Sequence, residues 1–432
     1  MSPTLSAIRQ NENGLPPDPV EYVMAHTNIR PTVMLLVGTA LIASACASAA
    51  GDEPDTSDTS QPATTTVAPS DVEQPAVGAL PTGPSALQDR VSDSYPDSLV
   101  DVGEIFSGGP PPDGIPPIDD PVFLPVAENI DLLPLQEAVV SLEINGEAKA
   151  YPVRAMVWHE IVNDTVGGVP VTVSYCPLCN SSATYERTIQ GNVTTFGTSG
   201  LLFASALVMY DRATESLWTH FDGTAVVGLL AGTELVEHAS PLLSWGDFVA
   251  AYPTGSVLDW EAAGFNRDYG RNPYSGYDTP DGRPFLFRGS LDDRAAAMQR
   301  VVGIDINDAP VAFALDAVSG GVAQQTTAQV GGADIVILWK QGQASALEGA
   351  SQEDGRDVGS VGAFIPTVGD RFLTFTVVDD TFVDDQTGSV WTITGDAIAG
   401  ELAGSALVPV PHLDTFWFAW STYKPGTTLV SE

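Results

Sequence analysis

The chain repeats itself, and that constrains its fold more than any other feature. AVVSLEING at 138–146 is echoed by RVVGIDIND at 300–308, and AYPVRAM at 150–156 by AFALDAV at 312–318. VGGVPVTVSY (166–175) pairs with VGGADIVILW (330–339), DRATESLW (211–218) with DDQTGSVW (384–391), and AVVGLLAGTEL (225–235) with AIAGELAGSAL (397–407). Trp245 and Pro253 fall in register with Trp417 and Pro425. The matches keep their order, so one structural unit is expected twice rather than two unrelated domains.

VSLEI, VTVSY, IVILW and LTFTVV alternate apolar and polar residues between glycine-rich turns, the period-two pattern of strands and hairpins. One short helix per half is expected at 242–252 and 414–424. The expected fold is mainly β with a minor α component: two homologous β-rich halves, each with a short helix, packed as a pseudo-symmetric pair. The 41 glycines and 33 prolines agree with a loop-rich β protein.

Fifty-five acidic residues against 17 Lys and Arg give a net charge of −38. Phosphate neutralisation needs clustered Lys and Arg, so nucleic acid is excluded as a general partner. Attraction to anionic lipid by charge is disfavoured too. Hydrophobic residues make up 44% and charged ones only 17%, so the chain can bury a core and its acidity describes a solvated surface.

The apolar run VMLLVGTALIASA (33–45) follows Arg30 and ends in small residues before Cys46. It suits a signal-peptide core and is short for a membrane span. Residues 1–46 therefore read as a signal peptide with a lipobox, the true start falling at Met24 and Cys46 becoming the lipidated first residue. Residues 47–80 read as a disordered acidic tether rich in Thr, Pro and Ser. The first β-rich half spans 81–270 and the second, degenerate half 271–432. The expected location is extracytoplasmic, lipid-anchored to the outer face of the cytoplasmic membrane.

With Cys46 assigned to the anchor, only Cys176 and Cys179 remain. Two unpaired structural thiols would be unusual in an oxidising compartment. The two halves act as an internal control: what both share is framework, and what one alone carries is a candidate for function. The first half alone carries His159, Cys176, Cys179 and His220. The second offers Lys340 opposite Cys176 and Ile393 or Thr394 opposite His220, and its only histidine is His412.

Cys176-Pro177-Leu178-Cys179 follows directly on the strand VTVSY, and the residues after it read as a hairpin rather than a helix. Such a tip can aim two thiolates at one metal, with His159 as third ligand and Met209 or His220 as weaker fourth candidates. Cys, His and Met donors suit copper, and two Cys with one His suit zinc or iron. Alternatively Cys176 and Cys179 cycle between dithiol and disulfide, with His159 as base. The third reading is a structural disulfide on a non-enzymatic surface binding module. Glu160, Asn163 and Asp164 cap the turn or orient His159. Asp211, Ser216 and Trp218 recur in the second half and read as framework, whereas Arg212 and Glu215 do not recur. NPYSGY (272–277) and GGPPPDGIPP (108–117) read as lids or linkers. Metalloprotease, nucleotide and serine-hydrolase readings lack support, because His-Glu-x-x-His, Gly-x-Gly-x-x-Gly, a phosphate loop and Gly-x-Ser-x-Gly are all missing.

SGGPPPDGIPPIDDPVF, INGEAKAYPV, HEIVND, YCPLCNSSATYER, FGTSGLL, YDRATESLWTH, NPYSGY and PFLF occur in this order. Together they resemble the prokaryotic family known as domain of unknown function 3179, from about Gly108 to Pro425. The resemblance implies export or lipid anchoring and carries no established activity. By position it marks His159, Glu160, Asn163, Asp164, Cys176, Pro177, Cys179, Asp211, Ser216 and Trp218. Two departures stand out: Asn180 where a glycine commonly follows the second cysteine, and His220 where glutamine is more usual.

Overall fold

Between Leu258 and Arg300 the chain forms neither helix nor strand, and this strap divides two sets of sheets built in the same order. The computed structural model describes residues 78–431; the expected signal peptide, Cys46 and all but the end of the expected tether lie outside them. The expected 270/271 boundary falls within the strap.

Before the strap, one sheet runs Leu242–Ser244, Ala138–Ile144, Glu147–Pro152, Ser256–Leu258, Phe123–Pro125. A second runs Glu237–His238, Ser181–Glu186, Val169–Cys176, Ile161–Val166, and a third joins Phe106–Ser107 to Phe196–Phe203, Ala206–Asp211, Leu217–Thr219 and Ala225–Val227. After the strap, the first order returns as Leu413–Phe416, Arg300–Ile304, Val311–Ala314, Thr428–Val430. The second returns as Val408–Pro409, Ser360–Ile365, Ala333–Lys340, Ala323–Val330, and the third as Phe375–Val378, Thr381–Asp384, Val390–Trp391, Ala397–Ala399. Even the unusual parallel pairings correspond: Ser256–Leu258 beside Glu147–Pro152, and Thr428–Val430 beside Val311–Ala314. The mainly β class expected from period-two patterning is therefore what forms.

Local chemistry explains why the same turns recur. Gly167 and Gly331 both have left-handed φ, at 55° and 56°. A Cβ there would lie 2.1 Å from Ile144 O and 2.0 Å from Ile306 O, so only glycine fits. Asn145 and Asn307 each close the contact by donating to Gly167 O and Gly331 O, both at 2.9 Å. Asp211 accepts from Thr214 N (2.6 Å), Thr214 Oγ1 (2.8 Å) and Trp218 Nε1 (3.0 Å). Asp384 accepts from Thr387 N (2.6 Å), Thr387 Oγ1 (2.8 Å) and Trp391 Nε1 (3.0 Å). The shared Asp-x-x-Thr-x-Ser-x-Trp signature is thus a buried turn that satisfies its own polar groups.

Four short helices complete the described chain: α1 (Val153–His159), α2 (Trp245–Ala251), α3 (Leu315–Val318) and α4 (Trp417–Tyr423). α2 and α4 lie where the sequence placed them. α1 is not among the helices expected from the sequence; Pro152, with its fixed φ, stands at its N-cap, and Val153, Ala155, Met156, Val157 and His159 are buried. The largest apolar cluster draws on both sides of the strap, joining Met156, Tyr175, Trp218 and Trp245 to Phe416, Trp417 and Trp420. None of the described helices is long and apolar enough to cross a membrane.

Candidate functional site

The strand Val169–Cys176 and its return Ser181–Glu186 form the expected hairpin, with Cys176 paired to Ser181 and the turn Pro177–Asn180 between them. Asn180 closes this turn at φ 51°. Glycine suits that place best, and asparagine is among the few other residues that tolerate it, so the first departure from the family pattern is conservative in shape. Alternation along the first strand puts Ser174 and Cys176 on one face.

Both cysteines are free and buried, Cys176 2% and Cys179 0% exposed. Cys176 Sγ accepts from Leu207 N at 3.4 Å. Burial pushes the Cys176 thiol up, but the Cys179 thiol and the N–H groups of Leu207, Cys179 and Leu178 outweigh it and hold it below its ordinary value. Burial first, and Cys176 second, push Cys179 well up. Of the two sulfurs Cys176 is thus the more readily ionised.

His159 does not join them. Its Nδ1 lies 2.7 Å from Pro116 O and its Nε2 2.8 Å from Tyr269 Oη. A carbonyl only accepts, so Nδ1 carries the proton and Nε2 accepts from the phenol, leaving no ring nitrogen for a metal or a thiol. Burial lowers the His159 pKa to about 4, with the Arg267 charge acting the same way against the Pro116 bond. The hairpin register that sets Ile161 across from Ser174 projects His159 toward Cys176, but α1 ends there and turns the ring away.

Glu160 takes the place expected of His159. It caps α1 at φ 58°, donates its N–H to Met156 O and accepts Tyr175 N–H at 2.8 Å on its carbonyl. Burial, and then Cys176, push its carboxyl well above the usual range. Asn163 and Asp164 are framework. Asn163 Nδ2 donates to Asp119 Oδ1 (2.7 Å) and Phe196 O (2.8 Å), tying three segments together. Asp164 accepts from Lys149 Nζ (3.0 Å) and Tyr151 Oη (2.7 Å). Met209 is buried in the apolar core, paired with Trp218, and Arg212 binds Asp113 and Asp119 at the surface.

His220, the weaker candidate, is the histidine that reaches the thiols. Its Nε2 lies 2.8 Å from Ser181 Oγ, which lies 3.0 Å from Cys179 Sγ. Burial lowers its pKa to about 4, so the ring is neutral at pH 7. Among the described residues no three His, Cys, Asp or Glu side chains are gathered as a metal ion would need.

The strap covers this site. Phe265 and Tyr269 pack on His159. Burial first, and then Glu160 and Cys176, push the Tyr274 phenol well up. Tyr277 Oη donates to Leu178 O at 2.8 Å, inside the cysteine turn, and Ser205 Oγ donates to Phe285 O. NPYSGY, read as a lid or linker, is therefore the part of the strap lying over the thiols. Residues after the strap close the other side: Thr415 Oγ1 donates to Cys179 O at 2.6 Å, and Asn180 Nδ2 donates to Asp414 O at 3.1 Å. Sequence reasoning missed Ser174, Ser181, Tyr269 and Leu207 N, because single serines and backbone donors carry no spacing signal.

No curated protein and no solved structure matches the chain. A family model described as "Protein of unknown function (DUF3179)" matches residues 112–427, a span that holds the thiol pair, Glu160, His220, the strap and Thr415. The chain belongs to the DUF3179 family.

Proposed function

We propose that Cys176 and Cys179 form a dithiol–disulfide redox centre, with Cys176 as attacking thiolate and Cys179 as the resolving thiol. The observation that carries this reading is the asymmetry of the pair. Cys176 Sγ sits among hydrogen-bond donors, one of them Leu207 N at 3.4 Å, while Cys179 keeps its proton beside Ser181. A low-pKa thiol next to a protonated one is what thiol–disulfide exchange needs. The strap tyrosines exclude water, and a partner disulfide reaches Cys176 when the segment carrying Tyr274 and Tyr277 moves aside.

The matching sheet orders and aspartate turns support an origin by internal duplication, with chemistry retained in the first copy. The run 33–45 before Cys46 supports export and a diacylated anchor, which would place the dithiol in an oxidising compartment. An N-terminal peptide carrying a lipid on Cys46 in mass spectrometry tests that placement.

The test of the site is differential alkylation with elemental analysis of the mature protein. Two alkylated cysteines after mild reductant, and none after a small disulfide, is the expected result. A pair that stays oxidised in mild reductant points to a structural disulfide. Copper, zinc or iron that co-purifies and disappears in Cys176→Ser would carry the metal reading instead.

A further inference from the structure

Behind Cys179 runs a line of buried polar groups that the exchange step above does not use. Cys179 Sγ is 3.0 Å from Ser181 Oγ, Ser181 Oγ 2.8 Å from His220 Nε2, and His220 Nδ1 2.7 Å from Ser174 Oγ. Ser174 Oγ is 3.0 Å from Ala183 O. Ser174, Ser181 and His220 are fully buried. The direction of each bond follows from its far end. Ala183 O only accepts, which assigns the single Ser174 proton to it. Ser174 Oγ then accepts from His220 Nδ1–H, leaving Nε2 bare to accept from Ser181. The Ser181 oxygen is left as an acceptor for the Cys179 S–H, which in the resting pair also faces Cys176 O at 3.8 Å and turns to Ser181 once Cys176 is consumed. All the bonds point one way, from the thiol through the imidazole to Ala183 O.

The surroundings of His220 fit proton transfer better than a scaffold role. Its main chain is already held, with its N–H on Leu207 O at 3.1 Å and its C=O accepting from Tyr185 Oη at 2.9 Å. The ring is therefore not needed to fix the loop. Cys179 through Ser181, and the Tyr185 phenol on the backbone, are the titratable groups these contacts bring to it, and neither charges the neutral imidazole. A buried base with a free lone pair, one hydroxyl away from a thiol that must lose its proton, is placed for one task.

We propose that Ser181 and His220 form a proton relay for Cys179, an inference that rests on the dithiol reading. Cys176 thiolate attacks a partner disulfide R–S–S–R, forming Cys176–S–S–R and releasing R–S⁻. Cys179 passes its proton to Ser181 Oγ as the Ser181 proton moves to His220 Nε2. The Cys179 thiolate attacks Cys176 Sγ, breaks the mixed disulfide and releases the second R–S⁻. Two electrons pass from the dithiol to R–S–S–R, and the proton on His220 leaves to solvent or product. Ser181 touches a reacting sulfur and is catalytic in this step; His220 acts through it as a positioning residue.

The test mixes the reduced, mature protein with a small aromatic disulfide whose thiolate absorbs light. Release occurs in two phases, Cys176 attack and then Cys179 closure. His220→Gln can accept from Ser181 and donate to Ser174 but cannot take up a proton. It should leave the first phase unchanged and slow the second about 100-fold near neutral pH, the usual scale for losing a general base. The deficit should shrink at strongly alkaline pH, where hydroxide removes the Cys179 proton, and Ser181→Ala should behave alike. Second phases equal to wild type at every pH, or equal slowing of both phases, overturn the relay. The dithiol reading is checked separately: wild type must release two thiolates and Cys179→Ser one. If wild type releases fewer than two, that reading fails and the relay falls with it.

Discussion

The tip of the cysteine hairpin and its counterpart beyond the strap solve the same structural problem with opposite chemistry. In one, Cys176 pairs with Ser181; in the other, Lys340 pairs with Ser360, at the end of an equally placed hairpin. Lys340 Nζ binds Asp247 Oδ1 of α2 at 2.5 Å, and Ser360 Oγ donates to Asp247 Oδ2 at 2.8 Å. With Trp245 matched to Trp417, the α4 position matching Asp247 is the buried Ala419. The second tip is closed by an ion pair that leaves nothing to react. At the first tip the strand Leu413–Phe416 meets the hairpin instead, with Thr415 Oγ1 and Phe416 N–H both donating to Cys179 O, and the two thiols stay free. The difference teaches that Asp247 of α2 finishes the hairpin beyond the strap with charge, whereas a strand from beyond the strap finishes the cysteine hairpin through its backbone and leaves the thiols unpaired.

That comparison can be broken most sharply at the shared turns. Asp211→Ala and Asp384→Ala each strand several buried donors, including a tryptophan N–H. Each should cost about 3–5 kcal/mol, the range for stripping a buried carboxylate from its partners. Denaturant midpoints check this; a cost confined to one turn would mean that the two are not equivalent framework.

Acid should separate the copies next. His220 has an ordinary pKa of 6.5, which burial lowers to about 4 in the folded chain. The unfolded chain therefore binds the proton first. The stability this neutral ring secures is full above pH 6.5 and is lost as pH falls toward 4, by about 3 kcal/mol. His220→Gln should remove that portion of the acid sensitivity, measured as midpoints at neutral and acid pH. An unchanged pH slope would show that His220 is hydrated in solution.

Smaller effects follow at the two tips. Cys176→Ala should cost about 1–2 kcal/mol, as for a modest buried truncation, while abolishing reaction with disulfides. Lys340→Met should cost about 1 kcal/mol or less, because Lys340 is partly exposed and such pairs contribute little. It should leave thiol reactivity untouched; altered Cys176 kinetics in that variant would show that the tips communicate.

Much of this architecture could be read from the sequence because period-two alternation and Gly-Gly turns are local signals. The hairpin at Cys176–Cys179 and the helices near Trp245 and Trp417 follow from such signals. α1 escaped because AMVW suits a buried strand as well as a helix, and only Pro152 and the left-handed Glu160 decide otherwise. His159 was expected beside Cys176 because hairpin register points it there. The helix end turns its ring toward Pro116 and Tyr269, and brings Glu160 near the sulfur instead. His220 was undervalued because its link to Cys179 passes through Ser181, a residue that spacing cannot single out. Comparing the matching segments singles out one hairpin, but only packing reveals which neighbours surround its thiols.

The central claim is that Cys176 and Cys179 form a reversible redox pair. It is tested most directly by equilibrating the mature protein in glutathione or dithiothreitol buffers of graded potential, trapping thiols by alkylation and weighing the intact chain. The account predicts one two-electron transition, in which two alkyl groups appear together, with a midpoint within the range of exchange-active dithiols, about −120 to −270 mV. A pair that stays wholly oxidised or wholly reduced across that range, or takes up one alkyl group at a time, would contradict it.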